Sequence, residues 1–150
     1  MGIQKTVIIF ALLLFSTPAV SEIPLVCLAK NIYFESRNQP WAGKIAVAQV
    51  TINRVQDERF PNNVCDVVHQ QKRGICQFSW YCDGLSDNPK EKEHWEESVV
   101  IAKYVLSRKL PDITEGSLWY HTTSILPWWH YAYEPRVIIQ DHIFYGPLRD

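Results

Sequence analysis

The chain lacks the features that mark a nucleic-acid binder, a zinc protein or a multi-pass membrane protein. Its 15 Lys and Arg stand against 16 Asp and Glu. No basic block or stripe accompanies that balance, so the positive footprint required for phosphate binding is missing and no nucleic-acid partner is expected. No Cys-x-x-Cys or His-x-x-x-His spacing occurs, and the five His, at 69, 94, 121, 130 and 142, are scattered. Compact zinc motifs are therefore excluded, and neither a metal nor a cofactor is expected. The unbroken apolar run Val7 to Phe15 is well short of the ~20 residues that cross a bilayer as a helix. Internal repeats, linkers and low-complexity tracts are also absent, which leaves a single domain as the expected organisation.

What is present begins with an export signal. Lys5 is the basic flank, Val7 to Phe15 the apolar stretch, and Ala19-Val20-Ser21 offers small residues for cleavage. Residues 1–21 are expected to be removed, leaving a domain over 22–150 in the periplasm or cell wall without a stable membrane span. An uncleaved anchor is the alternative. The mature segment keeps 14 basic and 16 acidic residues, enough length for one core, and is expected to be a monomer. Its four cysteines, Cys27, Cys65, Cys76 and Cys82, are an even set in an exported chain, which points to disulfides. Of the three pairings, Cys76 with Cys82 closes a short loop and Cys27 with Cys65 ties the start of the domain to its middle. That pairing is preferred, with the other two open.

Apolar spacing predicts four helices followed by strands. Leu25, Leu28, Ala29 and Ile32 form one face of a first helix, with Pro24 suited to its opening turn. A second helix is expected from Pro40 to about Val55, with Trp41, Ile45, Ala48 and Ile52 on its stripe. A short third helix follows the caps Asn62 or Asn63 and carries Val64, Val67 and Val68. The fourth, from about Lys90 to Ser107, turns Trp95, Val99, Ala102 and Leu106 inward and its early charged residues to solvent. After Pro111, β-branched and aromatic residues predict strands at Leu118–Thr122, Val137–Gln140 and Ile143–Tyr145, separated by an aromatic loop, Leu126 to Pro135. The fold class is α+β, helices first and a small sheet late.

Glu35 lies three residues beyond Ile32, on or near the buried face of the first helix. A carboxylate there loses solvation, its pKa rises, and it becomes suited to donate a proton near neutral pH. On pattern alone, a surface Glu paired with Lys30 or Arg37 is the competing reading.

The order of short motifs resembles the SleB/CwlJ-type cell-wall hydrolase family over nearly the whole mature chain. The motifs are Leu28-Ala29 with Tyr33-Phe34-Glu35-Ser36-Arg37, Gly43 to Val50, Asn53-Arg54-Val55, Phe60-Pro61, Cys76-Gln77-Phe78-Ser79 and Cys82-Asp83-Gly84. Gly116-Ser117-Leu118-Trp119-Tyr120-His121, Pro127-Trp128-Trp129 and His142-Ile143-Phe144-Tyr145 complete the series. The resemblance implies a lysozyme-like helical core with a small C-terminal antiparallel β-sheet, and cleavage of peptidoglycan glycan strands between MurNAc and GlcNAc. Glu35 matches the family's catalytic Glu, which is expected to work alone in a lytic transglycosylase. The cysteine-containing motifs resemble an exported proteobacterial branch.

Gln77 and Ser79, with an amide and a hydroxyl beside the Cys76 loop, are expected to hold sugar hydroxyls or N-acetyl groups. Tyr120 and His121 sit on a strand whose alternation sends one inward and the other outward, so at least one should face the groove. A structural His is the alternative for His121. Asp83 is the candidate second carboxylate, although Asp-Gly is a turn signal and the turn reading is preferred. Asn53, Arg54 and His142 are expected to be structural, Phe78 a core residue, and one of Trp128 and Trp129 a filler beneath its loop. Two departures stand out. Asn38-Gln39 replaces the Gly-Glu of many relatives, with Asn able to take a left-handed turn, and Gln140 replaces a common Gly. The competing functions are a zinc amidase and a non-catalytic glycan-binding module.

Overall fold

The computed structural model describes residues 22–149, so the expected signal segment, 1–21, lies outside the described residues. Helix α1 runs Pro24–Ser36, with Pro24 in its first turn, where a missing N–H costs no helical hydrogen bond. Helices α2 (Trp41–Gln56), α3 (Val64–Val68) and α4 (Lys92–Leu106) follow, then strands that complete the expected α+β order. Asn63 caps α3 by accepting from the Asp66 N–H at 2.9 Å.

Cys27, Leu28, Ala29 and Ile32 of α1 are fully buried against Ala48 of α2 and Ile101 and Ala102 of α4. Burying side chains the size of Leu or Ile contributes ~1.5–3 kcal/mol each, which makes this helical cluster the main source of stability. Two disulfides add to it in the preferred pairing: Cys27–Cys65 joins α1 to α3, and Cys76–Cys82 closes the short loop.

Helix α2 departs from its expected stripe. Trp41 is exposed, while Gly43, Ala46, Val47, Val50, Thr51 and Arg54 are buried along with Ala48. The reason is that α2 is covered on two sides. Ile45, Ala48 and Ile52 pack with the helical cluster, whereas Ala46 and Val50 meet Phe144, Val137 and Ile139 of the sheet. In α4, Ser98, Ile101, Ala102 and Val105 are the buried set, rotated slightly from the expected stripe. Its charged start is also less idle than expected. Glu97 pairs with the buried ammonium of Lys44, and Glu91 accepts from the Tyr33 hydroxyl.

The main sheet has strands β3 (Trp119–Thr122), β4 (Glu134–Ile139) and β5 (His142–Gly146) in the order β3-β5-β4, all antiparallel. Trp119 faces Tyr145 in register and Tyr120 faces Phe144. A two-residue hairpin, β1 (Gln71–Lys72) with β2 (Ile75–Cys76), is an addition that no periodicity announces. The turn at Asn38 survives without the left-handed backbone that Asn tolerates: the Gln39 N–H donates to the Ser36 carbonyl at 2.8 Å, and positive φ at non-glycine residues falls instead at Arg73, Arg108, Glu115 and Gln140.

Gln140, at φ 52°, turns the chain from β4 into β5 in a conformation that Gly adopts without strain. Gln140→Gly is expected to stabilise the protein by about 0.5–1 kcal/mol in urea unfolding, and the β-branched Gln140→Val to destabilise it.

Candidate active site

Glu35 occupies the last turn of α1, one residue before its final Ser36. The surface pairing considered for it does not form. Lys30 binds Glu22 at 2.6 Å, and Arg37 lies 3.8 Å from Glu91 and over the Tyr33 ring. Glu35 instead turns toward the sheet, where the Tyr120 hydroxyl donates to its Oε2 at 2.8 Å. Burial pushes the Glu35 carboxyl above the ordinary carboxylate range, against the opposing pull of the Tyr120 hydrogen bond and the Arg54 charge. Burial holds the Tyr120 phenol well above its usual pKa, so it remains a neutral donor.

Arg54, at the last turn of α2, is 2% exposed. Its Nε donates to the Leu118 carbonyl at 2.7 Å, and its guanidinium lies over the rings of Phe60 and Phe78, 5.4 and 5.3 Å from their centroids. Desolvation lowers its pKa to about 10, still well above neutral. The guanidinium thus holds the loop after α2 through Phe60, as expected, and also the entrance to β3 through Leu118. Asn53 beside it donates to Asp112 Oδ2, Thr114 Oγ1 and the Ser117 carbonyl, fixing the segment that leads into β3.

Two cavities meet at the Glu35–Tyr120 hydrogen bond. One, of 480 Å³, is lined by Glu35, Ser79, Trp80, Asp83 and Asp87 among others; the other, of 270 Å³, by Tyr120, Gln77, Arg54, Trp128 and Trp129 among others. The two cavities, linked by that bond between a residue of one wall and a residue of the other, constitute the groove. Of the five residues expected at the site, Glu35 and Ser79 line the first cavity and Gln77 and Tyr120 the second.

His121 stands apart. Strand alternation sends it to the opposite face of the sheet, where it is 5% exposed, stacks on Tyr145 and meets the edge of Trp129. Its ring nitrogens lie 2.8 Å from the Thr122 carbonyl and 2.9 Å from the Tyr145 hydroxyl, leaving neither for a ligand. The structural alternative fits His121, and Tyr120 is the member of the pair that faces the groove. His142 is buried between the layers with its ring edge-on to Tyr120.

Asp83 shows the turn geometry anticipated for Asp-Gly: its Oδ1 accepts from the Leu85 N–H at 2.8 Å and Gly84 takes φ 76°. It nonetheless lines the same cavity as Glu35. Asp87 and Glu91 share that wall: Asp87 belongs to no motif, and Glu91 falls in the charged start of the fourth helix, expected to face solvent. Trp128 is 79% exposed beside the groove, while Trp129 packs against His121, Tyr133 and Tyr145 under its loop.

The profile of the family described as Cell Wall Hydrolase (Hydrolase_2) matches residues 38–145. The chain belongs to this family. The match begins three residues after Glu35. Among curated relatives of the chain, the spore cortex-lytic enzyme of Bacillus cereus is 38% identical over 52 residues, which cover 35% of the chain and 20% of that enzyme. The spore cortex-lytic enzyme of Oceanobacillus iheyensis is 32% identical over 76 residues, 49% of the chain and 26% of that enzyme. The matched segments thus span about a fifth to a quarter of those relatives.

In three dimensions the chain resembles the catalytic domain of the Bacillus cereus SleB protein, with a TM-score of 0.63 at 27% identity over 87% of this chain and 94% of that one. It also resembles the catalytic domain of the germination-specific lytic transglycosylase SleB from Bacillus anthracis, with a TM-score of 0.65 at 27% identity over 87% and 99% of the two chains. The expected fold, a lysozyme-like helical core with a small antiparallel sheet, is thereby established.

Replacing Tyr120 with Phe removes the bond that opposes burial while keeping the ring. The Glu35 carboxyl is expected to titrate at higher pH in Tyr120→Phe than in the parent, as followed by NMR of its side-chain carboxyl carbon.

Proposed function

We propose that this hydrolase cleaves peptidoglycan glycan strands between MurNAc and GlcNAc as a lytic transglycosylase, with Glu35 acting first as acid and then as base. The observation that carries the reading is the buried Glu35 carboxyl group, held by the Tyr120 hydroxyl at 2.8 Å on the wall of a 480 Å³ cavity, where burial raises its pKa. Family membership and the fold shared with the Bacillus anthracis lytic transglycosylase support it.

The chemistry follows from where the proton sits. Tyr120 donates to Oε2, which leaves Oε1 to carry the acidic proton. Glu35 gives that proton to the bridging oxygen as the bond from MurNAc C1 to that oxygen breaks, and the GlcNAc hydroxyl leaves. The new carboxylate stabilises the positive charge on the sugar ring and then removes the proton from the MurNAc 6-hydroxyl as its oxygen bonds to C1. The product is a 1,6-anhydro sugar, and Glu35 ends protonated, ready for the next cycle. Water is not consumed, so no second carboxylate has to activate it. Ser79 and Gln77, exposed on opposite sides of Phe78, are placed to hold sugar hydroxyls or N-acetyl groups, and Trp128 to pack on a ring face. We extend the reading to residues 1–21 as an export signal that delivers the domain to the periplasm or wall.

Asp83 and Asp87 on the wall of the Glu35 cavity favour one rival, an ordinary hydrolase in which one of them activates water. The zinc amidase has weaker support. Among the described residues, the cluster Glu22, Cys27 and His69 has suitable ligand spacing, but the Cys27 sulfur is committed to the disulfide with Cys65.

Mass analysis of products from purified sacculi separates the readings: anhydro-MurNAc ends are expected, whereas reducing ends would establish hydrolysis and released peptides an amidase. Glu35→Gln is expected to lower the lytic rate by at least about 100-fold; undiminished lysis would remove Glu35 from catalysis. The same variant carries a stability signature. Because folding raises the pKa of Glu35, the native state binds more protons than the unfolded chain above the ordinary value of 4.5, and stability falls as pH rises through that window. Glu35→Gln should therefore be more stable than the parent at neutral pH, an advantage that disappears below pH 4.5 in urea titrations.

A further inference from the structure

The groove changes electrical character along its length. On the α1 side of Glu35 its wall holds Asp83, Asp87 and Glu91 together with Arg37 and Lys90. Beyond Tyr120, Gln77, Trp119 and Trp128 are shared with a further cleft of 710 Å³, whose walls include Arg59, Lys72 and Arg73 and no carboxylate. That volume is within the range of ligand-binding clefts.

The three cations are not equivalent. Arg59 lies over the Trp119 ring and is already paired with Asp57 through bonds of 2.7 and 2.6 Å. Lys72 and Arg73 sit at the exposed tip of the β1–β2 hairpin and make no ion pair or side-chain hydrogen bond among the described residues. The hairpin is short, but its second strand ends at Cys76, whose bond to Cys82 ties it to the turn that follows Ser79. The two free charges are thus presented by a braced element.

A GlcNAc–MurNAc backbone gives these cations nothing to recognise, since its rings carry hydroxyls and neutral N-acetyl groups. Ionised groups in such a polymer hang from the muramic lactyl ether, as its own carboxylate where it is bare or as the carboxylates of the stem peptide where one is attached. The lactyl carboxylate is held close to its sugar ring, hence within the groove. A stem peptide reaches outward, into an adjoining cleft. Resting on the glycan-cleaving reading above, we propose that the cleft walled by Lys72, Arg73 and Trp128 receives the carboxylate-bearing stem peptide of a MurNAc in the groove, so that the enzyme selects peptide-bearing strands over bare ones.

The test compares full-length enzyme, after any processing, on two substrates from the same sacculi: glycan strands with intact stem peptides, and strands stripped by an amidase so that they carry free lactyl carboxylates. The parent is expected to favour the peptide-bearing strands in kcat/KM by about three- to tenfold, the scale of two exposed ion pairs, with the preference shrinking as salt is raised. The double variant Lys72→Gln/Arg73→Gln should bring the ratio close to one, chiefly through KM on peptide-bearing strands. Its thermal midpoint should match the parent's, since neither side chain has a partner to lose; Arg73→Glu alone should lower the ratio further than Arg73→Gln.

A parent ratio of one, or a double variant that keeps the parent's ratio, would overturn the proposal while leaving the glycan-cleaving reading intact. Equal losses on both substrates would assign the cations to the lactyl carboxylate or glycan and overturn it as well. Absence of cleavage on both substrates by the parent would remove the functional reading itself, a result distinct from cleavage without selectivity.

Discussion

A buried guanidinium holds the two halves of this protein in register. Arg54 leaves the end of α2 into a space closed by Phe60 and Phe78, and donates to the Leu118 carbonyl at the entrance to β3. Removing such a charge from water costs several kcal/mol, which is offset only if its surroundings are polar, aromatic or oppositely charged. Here a carbonyl, two ring faces and the nearby Glu35 carboxyl each supply part of the compensation. Those groups come from four separate stretches of chain: the helix that ends at Ser36, the loop after α2 that carries Phe60, the Cys76–Cys82 loop and the entrance to β3 at Leu118. A shift in any of them would strand the charge, so the electrostatic demand of one residue fixes where α1, the Cys76–Cys82 loop and the sheet meet.

The same junction accounts for the unusual burden on α2. A helix lying on one core needs one apolar stripe, but α2 separates a helical cluster from a sheet and must pack on both. Small residues make this possible. Gly43, Ala46 and Ala48 let neighbours approach closely, and Thr51 accepts from Asn31, whose own carbonyl oxygen accepts from the Trp80 indole at 3.1 Å. That buried chain of hydrogen bonds joins α1, α2 and the turn after Ser79 without leaving its members unpaired. Ser79 is therefore held on a turn whose next residue, Trp80, is buried against the Phe34 ring immediately before Glu35.

How much of this is legible in the sequence depends on the range of the interaction. The buried face of α1 follows from Leu28, Ala29 and Ile32, because a local 3.6-residue period decides it. The stripe of α2 is misread at Trp41 for the opposite reason: a helix covered on two sides has no single period to find. The β1–β2 hairpin is shorter than any pattern that alternation can reveal. At the site, Glu35 is visible through its position after Ile32 and through motif order, and strand alternation correctly separates Tyr120 from His121. Which of those two faces inward is not local information, since it depends on a bond between residues 85 positions apart. Asp87 and Glu91 are invisible for a related reason, as only the folded loop brings them to the wall opposite Ser79.

A single carboxyl group used as acid and then as base needs its two states close in free energy. Burial alone would favour the protonated form and make a poor base; a strong ion pair would do the reverse and make a poor acid. Glu35 is set between these limits by groups that pull in opposite directions. Burial raises its pKa, while Tyr120 and Arg54 lower it, and both partners are already positioned before charge develops. Arg37, the cation just beyond the end of α1, is instead engaged with Glu91 and the Tyr33 ring and is partly exposed to solvent. The balance therefore comes from buried side chains contributed by α2 and β3. The two-layer packing that makes α2 hard to read from its sequence is also what brings an acid, a phenol and a guanidinium together beneath one groove.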